Sequence, residues 1–214
     1  MKPIDLLIYD LDGTLIDSVQ DIVSAVNFML GELKLPARSQ EEIRSFIGDG
    51  IQNLVDRAIG RENLSMRARA LKVVKARYSE HLLDHTKLYP GVPEVLKHFR
   101  AKKQVVVTNK PEKFSVTILE GFEIGKLFGR VIGGDTIRTK KPSPEAVFQI
   151  LNEFGVMPER AVIIGDSAID IETGKNAKIT TCAVTYGLGD QEALRQSKPD
   201  FVIGRIGELV KLFC

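Results

Sequence analysis

The sequence predicts an α/β fold: a core with a parallel sheet, interrupted by an all-helical insertion. Two observations carry this. From Tyr89-Pro90-Gly91 onward, short apolar runs alternate with amphipathic helices, the texture of βα units whose sheet is covered on both faces. Between Asp17 and about Leu83 the pattern is wholly helical, with no strand signal. A first strand, Ile4–Asp10, precedes that block, so the block is an insertion. The expected division is a core of residues 1–16 and 84–214 and a helical cap of residues 17–83.

Each element has its own signal. Leu6-Leu7-Ile8-Tyr9 makes the first strand a buried one. In the insertion, Val19, Ile22, Val23, Val26 and Leu30 form one stripe, and Ile51, Leu54, Val55, Ala58 and Ile59 fit the i, i+3, i+4, i+7, i+8 pattern throughout. A longer helix is expected through Leu64, Ala68, Leu71, Val74 and Tyr78. Thereafter helix Val92–Ala101 leads to strand Gln104–Asn109, and helix Pro111–Gly121 to strand Arg130–Gly133. Helix Pro144–Gly155 leads to Ala161–Asp166, and Ala168–Ala177 to Ile179–Thr185. Strand Phe201–Ile203 and helix Ile206–Phe213 close the chain. Lys178, directly after helix Ala168–Ala177, would be strained if that helix closes with a left-handed residue.

Composition narrows the function classes. The 214 residues are 43% hydrophobic, enough for a substantial core. Thirty basic and 28 acidic residues are well mixed, for a net charge of +2. No polybasic block and no Trp argue against nucleic acid as a partner. Ten basic and nine acidic residues between Asp17 and Leu83 leave the insertion without a strong field; its Arg67, Arg69, Lys72, Lys75 and Arg77 read as a solvated helix face. Cys182 and Cys214 are too few for a disulfide framework. No stretch has transmembrane length, and the opening residues do not form a signal peptide. A soluble, cytoplasmic protein with no membrane partner is expected, as monomer or homodimer.

The chemistry concentrates at predicted strand ends, where open α/β sheets bind ligands. Asp10-Leu11-Asp12-Gly13-Thr14 delivers two carboxylates to such an end. A solvated turn would use the same residues. A calcium loop would not, since its sixth position is Leu15 rather than Gly and its twelfth is Asp21 rather than Glu. Thr108-Asn109-Lys110 ends another strand before a helix opened by Pro111, a place suited to phosphate or to a simple helix cap. Gly165-Asp166-Ser167 ends a third, with Asp170 one turn later. Asp166 and Asp170 at i, i+4 repel unless a cation lies near. Lys140-Lys141-Pro142 adds cations before another helix. Together these supply what phosphoryl transfer requires: a carboxylate nucleophile, a proton donor, a hard-metal site, a Lys and fixed donors.

Asp10-x-Asp12-Gly13-Thr14, Thr108, Lys141-Pro142 and Gly165-Asp166-Ser167-x-x-Asp170 resemble the four ordered motifs of the haloacid dehalogenase-like hydrolases, over the whole chain. The resemblance implies a Rossmann-like three-layer core, a helical cap, Mg²⁺ and an aspartyl-phosphate intermediate. Asp10 is then the nucleophile and Asp12 the general acid and later base. Thr108, Asn109 and Lys141 bind the substrate phosphate. Asp10, the Asp12 carbonyl and Asp166 hold the metal, with Asp170 as ligand or neighbour. Family dehalogenases and phosphonatases lack the second acid, so Asp12 implies phosphatase chemistry. β-Phosphoglucomutases carry a His about twelve residues after the nucleophile, where this chain has Ile22. Among the phosphatases, Asp-Leu-Asp-Gly-Thr-Leu-Ile-Asp-Ser and Val-Thr-Asn-Lys-Pro look most like the phosphoglycolate phosphatases. Pyrophosphatases and nucleotidases share most of these residues, and a catalytically silent interaction module is the non-enzymatic alternative. The substrate implied is a small phosphorylated metabolite, 2-phosphoglycolate first. The cap loop Ile47-Gly48-Asp49-Gly50 is expected either to face the site, its following helix offering amides to a small carboxylate, or to be a plain helix–helix turn. Asp49 opposes the first role unless it points outward.

Overall fold

The computed structural model describes residues 1–214 and contains one six-stranded, all-parallel sheet. Its strands are β1 (Leu6–Tyr9), β4 (Lys103–Val107), β5 (Arg130–Ile132), β6 (Ala161–Gly165), β7 (Thr180–Val184) and β8 (Phe201–Ile203), in the order β5-β4-β1-β6-β7-β8. Alternation along β1 divides the core. Leu7 and Tyr9 face a layer with α5 (Val92–His98), α6 (Glu112–Gly121) and α10 (Leu209–Leu212), whereas Leu6 and Ile8 face α7 (Glu145–Phe154). Beside α7, the Ile171 of α8 (Ala168–Asn176) and Leu194 of α9 (Gln191–Gln196) pack on Ala183 of β7. Burial on both faces explains why the strands read as continuous apolar runs. The strand order reverses about β1, so Asp10 leaves the sheet at its switch point.

The helical insertion comprises α1 (Val19–Glu32), α2 (Gln40–Ser45), α3 (Ile51–Ile59) and α4 (Arg67–Glu80). Two short antiparallel strands, β2 (Ile16–Asp17) and β3 (Lys87–Leu88), form the ribbon through which the chain leaves and returns. Neither was predicted, because two residues carry no periodicity. The expected long apolar stripe is also corrected: Leu64 lies in a 3₁₀ turn (Arg61–Met66) and is exposed, so it is out of phase with α4, whose buried residues are Ala70, Val74 and Tyr78. The basic face of α4 is solvated as expected except at Arg77, which is half-buried over the Phe28 ring. The α9 helix was missed, although Asp190 caps it by accepting from Ala193 N at 2.7 Å. The last predicted helix is shortened by a 3₁₀ turn at Ile206–Glu208. Lys178 does adopt a left-handed φ of 57°, with Ile179 N donating to Gly174 O to close the helix end. No helix is long and apolar enough to cross a membrane.

One buried carboxylate ties the insertion to the core. Asp21, in the first turn of α1, accepts from the backbone N–H of His85 and Thr86, the Thr86 hydroxyl and the His85 ring, at 2.7–3.0 Å. Burial would push this carboxyl up, but the hydrogen bonds from Thr86 and His85 outweigh it and hold it below its ordinary value. A depressed folded-state pKa contributes stability above the unfolded value, near 3.9, that is lost as pH falls through the folded value. Asp21→Asn should therefore cost about 2 kcal/mol in urea unfolding at pH 7. The gap between wild type and variant should shrink below pH 4; a gap independent of pH would show that the charge on Asp21 contributes nothing.

Candidate active site

Because all six strands run the same way, their carboxyl ends meet at one edge. Asp10 extends β1, its N–H donating to Ile164 O of β6 at 2.9 Å. Beside it lie Thr108 at the end of β4 and Asp166 at the end of β6, both buried. Asp170, one turn into α8, completes the cluster: one carboxylate oxygen from each of Asp10, Asp166 and Asp170 lies within 4.8 Å of the others. Lys141, 6% exposed, inserts its Nζ between Asp10 (2.7 Å) and Asp170 (2.6 Å). The other oxygen of Asp170 accepts from Ser167 N and Oγ, so this residue also caps α8. Asp166 accepts from Leu188 N, Gly189 N and Thr14 Oγ1. Gly13 sits at φ 85°, and a Cβ there would lie 2.2 Å from the Asp166 carboxylate, so this turn admits only Gly.

Asp12 turns away from this cluster. Its oxygens lie 2.9 and 3.2 Å from Lys110 Nζ, and Ser18 Oγ, at the N-cap of α1, donates to it. Lys110 is itself buried and donates to the Tyr78 hydroxyl of α4 at 2.7 Å, with Nζ 4.7 Å from the ring centroid. Burial alone would lower the ammonium's pKa; Asp12, and the hydrogen bonds from Nζ, outweigh it and raise it, so Lys110 stays charged. Lys110, Tyr78 and Ser18 were not singled out from sequence. Lys110 was visible in Thr108-Asn109-Lys110, but its partner Asp12 is 98 residues away.

The remaining expected residues divide. Thr108 lines the cavity between cap and core, and so do Gly48 and Gly50. The Asn109 carboxamide instead joins loops: it accepts from Lys141 N at 3.0 Å and donates to Lys141 O and to Gly48 O at 3.2 and 2.9 Å. Asn109 also lines the cavity, with its amide held by these backbone groups. Asp49 points outward onto Arg57 and is not in the cavity wall, which removes its conflict with an anionic ligand. Gly50, at φ 86°, packs so closely that a Cβ would lie 3.0 Å from Asn109 O. Arg44 donates to Gly187 O at 3.0 Å, a further contact of the helical block with the core.

A family model described as haloacid dehalogenase-like hydrolase matches residues 7–184. The chain belongs to the haloacid dehalogenase-like hydrolases. Within this family, it is 37% identical to a phosphoglycolate phosphatase of Chromobacterium violaceum over 99% of this chain and 97% of that protein. It is 36% identical to one of Aquifex aeolicus, over 97% and 95%. A crystal structure of a predicted phosphoglycolate phosphatase from Haemophilus somnus 129pt superposes with a TM-score of 0.93 at 30% identity, covering 98% of this chain and 97% of that one. This haloacid dehalogenase-like hydrolase is an enzyme of the phosphoric monoester hydrolase class.

The electrostatics of the acid cluster fit a divalent cation. Three carboxylates against the one ammonium of Lys141 leave two formal negative charges in a buried site. Burial, with Asp170 nearby, pushes Asp10 up to about 7 and Asp166 up to about 6. Asp10 Oδ1 is buried and meets no donor in hydrogen-bonding geometry, although Lys141 Nζ is close. Clustered carboxylate oxygens suit a hard cation such as Mg²⁺. Saturating Mg²⁺, at about 100 times its Kd, should stabilise the folded protein by about 2.7 kcal/mol in thermal unfolding. Asp166→Asn should remove that increment. An equal increment in the variant would place the cation elsewhere.

Proposed function

We propose that this phosphatase hydrolyses 2-phosphoglycolate, with Mg²⁺, through an aspartyl-phosphate on Asp10. The observation that carries the mechanism is that Asp10 and Asp12, two residues apart, occupy opposite environments. Asp10 is paired with the charged Lys141 and no backbone or hydroxyl donor holds its Oδ1, as a nucleophile requires. Asp12 is fixed by Lys110 and Ser18 at the cavity wall, as a proton carrier requires. The substrate choice is supported by two full-length relatives named phosphoglycolate phosphatase.

In the first step an Asp10 oxygen attacks phosphorus and the ester P–O bond breaks. The departing oxygen takes a proton from Asp12. In the second, Asp12 removes a proton from water as that water attacks the phosphoryl group, releasing inorganic phosphate and restoring the Asp10 carboxylate. Lys141 and the Thr108 hydroxyl orient the phosphoryl oxygens and oppose their charge. Asn109 acts indirectly, by fixing the Lys141 backbone. Asp10, Asp166, Asp170 and the Asp12 carbonyl would hold Mg²⁺, whose role is to neutralise charge on the phosphoryl oxygens. Residues 17–83 form the cap, which closes the site against water over a core of residues 1–16 and 84–214. Ile22 lines the cavity and none of the three histidines does, which favours water over a sugar hydroxyl as the final acceptor.

With p-nitrophenyl phosphate as substrate, Asp10→Asn should abolish phosphate release. Asp12→Asn should lower kcat by about 10³-fold, the middle of the range of general acid–base effects. Acid-quenched wild type should carry phosphate on Asp10, detected by mass spectrometry of the peptide. An active Asp10→Asn variant would end the nucleophile assignment.

A further inference from the structure

Beyond the ester oxygen, the leaving group enters a cavity whose walls are mostly hydrocarbon: Ile22, Val26, Ile51, Leu54, Val74 and Phe114. Three charged residues line it, and two of them, Asp10 and Asp12, perform the chemistry. The third is Lys110, the only cation in the wall. Its Nζ lies 2.9 Å from the Asp12 oxygen that faces it, so it stands next to the point where the departing oxygen is protonated. Tyr78, 5% exposed, accepts from Lys110 through its hydroxyl but donates to nothing in the protein. A buried hydroxyl proton without an acceptor is costly to leave unmade. An ammonium and an unpaired O–H thus sit together beside Asp12 in that wall. Of its other polar side chains, Asn109 spends its amide on the Gly48 and Lys141 carbonyls, and Thr108 is the hydroxyl assigned above to the phosphoryl group.

We infer that Lys110 and Tyr78 are specificity residues that bind a second anion on the leaving group, one carried within about two bonds of the ester oxygen. The inference rests on the phosphatase reading above. It assigns the substrate class as phosphate esters of short hydroxy acids or phosphoanhydrides, whose leaving groups are anionic, over phosphates of neutral alcohols. Because Tyr78 belongs to the cap and Lys110 to the core, the same anion would bridge the two and favour closure.

The test is kcat/KM for 2-phosphoglycolate, pyrophosphate and the neutral isostere 2-phosphoglycolamide, in wild type, Lys110→Met and Tyr78→Phe. Wild type should prefer an anionic leaving group to the amide by about 10- to 100-fold, the range of hydrogen bonds to charged groups. Lys110→Met should slow all three, because Asp12 loses its partner, but should bring the acid-to-amide ratio close to one. Tyr78→Phe should lower that ratio several-fold, mainly through KM. If Lys110→Met does not fold, as judged by its melting curve, the Tyr78→Phe ratio decides. A larger Lys110→Met loss on 2-phosphoglycolate than on pyrophosphate identifies the anion as a carboxylate, and the reverse identifies it as a phosphate. An unchanged ratio in both folded variants would overturn the inference and leave Lys110 serving Asp12 alone. Wild type that cleaves aryl phosphate but shows no preference for an anionic leaving group overturns it while sparing the phosphatase reading. Wild type inert toward aryl phosphate overturns both.

Discussion

Three carboxylates buried at one sheet edge are the constraint around which the rest of the molecule is arranged. Uncompensated, each buried charge costs several kcal/mol, and the elevated values of Asp10 and Asp166 record that cost. The fold offsets it locally. Lys141 bridges Asp10 and Asp170, two backbone amides and Thr14 satisfy Asp166, and Ser167 satisfies Asp170. Gly13 gives the space that any side chain would take from Asp166. Only a parallel sheet brings β1, β4 and β6 to the same edge by their carboxyl ends, so the architecture and the charge cluster are one requirement. What the protein leaves uncompensated, two formal negative charges, is what a divalent cation would balance.

Two lysines then separate two acids that are neighbours in sequence. Lys141 lies within the acid cluster and Lys110 outside it, against Asp12. If Asp12 faced the cluster as well, a fourth carboxylate would raise the repulsion there. The turn at Gly13 prevents this by sending Asp12 to the cavity wall, where Ser18 and Lys110 hold it. Distinct environments for like groups are the general means by which one site runs both nucleophilic and acid–base chemistry.

The parts legible in the sequence were those whose signals are local. Strands buried on both faces are apolar throughout, and helices packed on one side repeat at 3.6 residues, so every core strand was found within about two residues of its ends. Asp10, Thr108 and Asp166 stand out because each ends an apolar run, and Asp170 because it lies one helical turn beyond Asp166. Lys141 follows no such run and is marked only by the resemblance of Lys141-Pro142 to a family motif. The β2–β3 ribbon escaped because pairing Ile16 with Leu88 is a tertiary event between dipeptides. Side-chain direction after a strand end escaped for a similar reason. Thr108, Asn109 and Lys110 are consecutive and all line the cavity, yet Asn109 locks two loops together, Lys110 reaches Asp12 and Thr108 does neither. Nothing in Thr-Asn-Lys distinguishes these fates; they depend on Gly48, Lys141 and Tyr78, which lie 32 or more residues from the side chains they meet.

The way the helical block meets the core shows which half of the chemistry it can influence. Asn109 and Arg44 make two of the contacts, and both are to backbone carbonyls, of Gly48 and Gly187. Such contacts set the position of the block without altering a reacting group. Another contact is different: Tyr78 of α4 meets Lys110, which holds Asp12. Withdrawing α4 would remove a partner from Lys110 and so disturb Asp12, whereas Asp10 and Lys141, held by β1, α8 and the loop before α7, would keep theirs. On the proposed mechanism the phosphoryl end of the reaction is thus built wholly into the core and the leaving-group end is completed by the helical insertion. A change of insertion would then alter substrate choice while Asp10, Lys141, Asp166 and Asp170 stay unchanged.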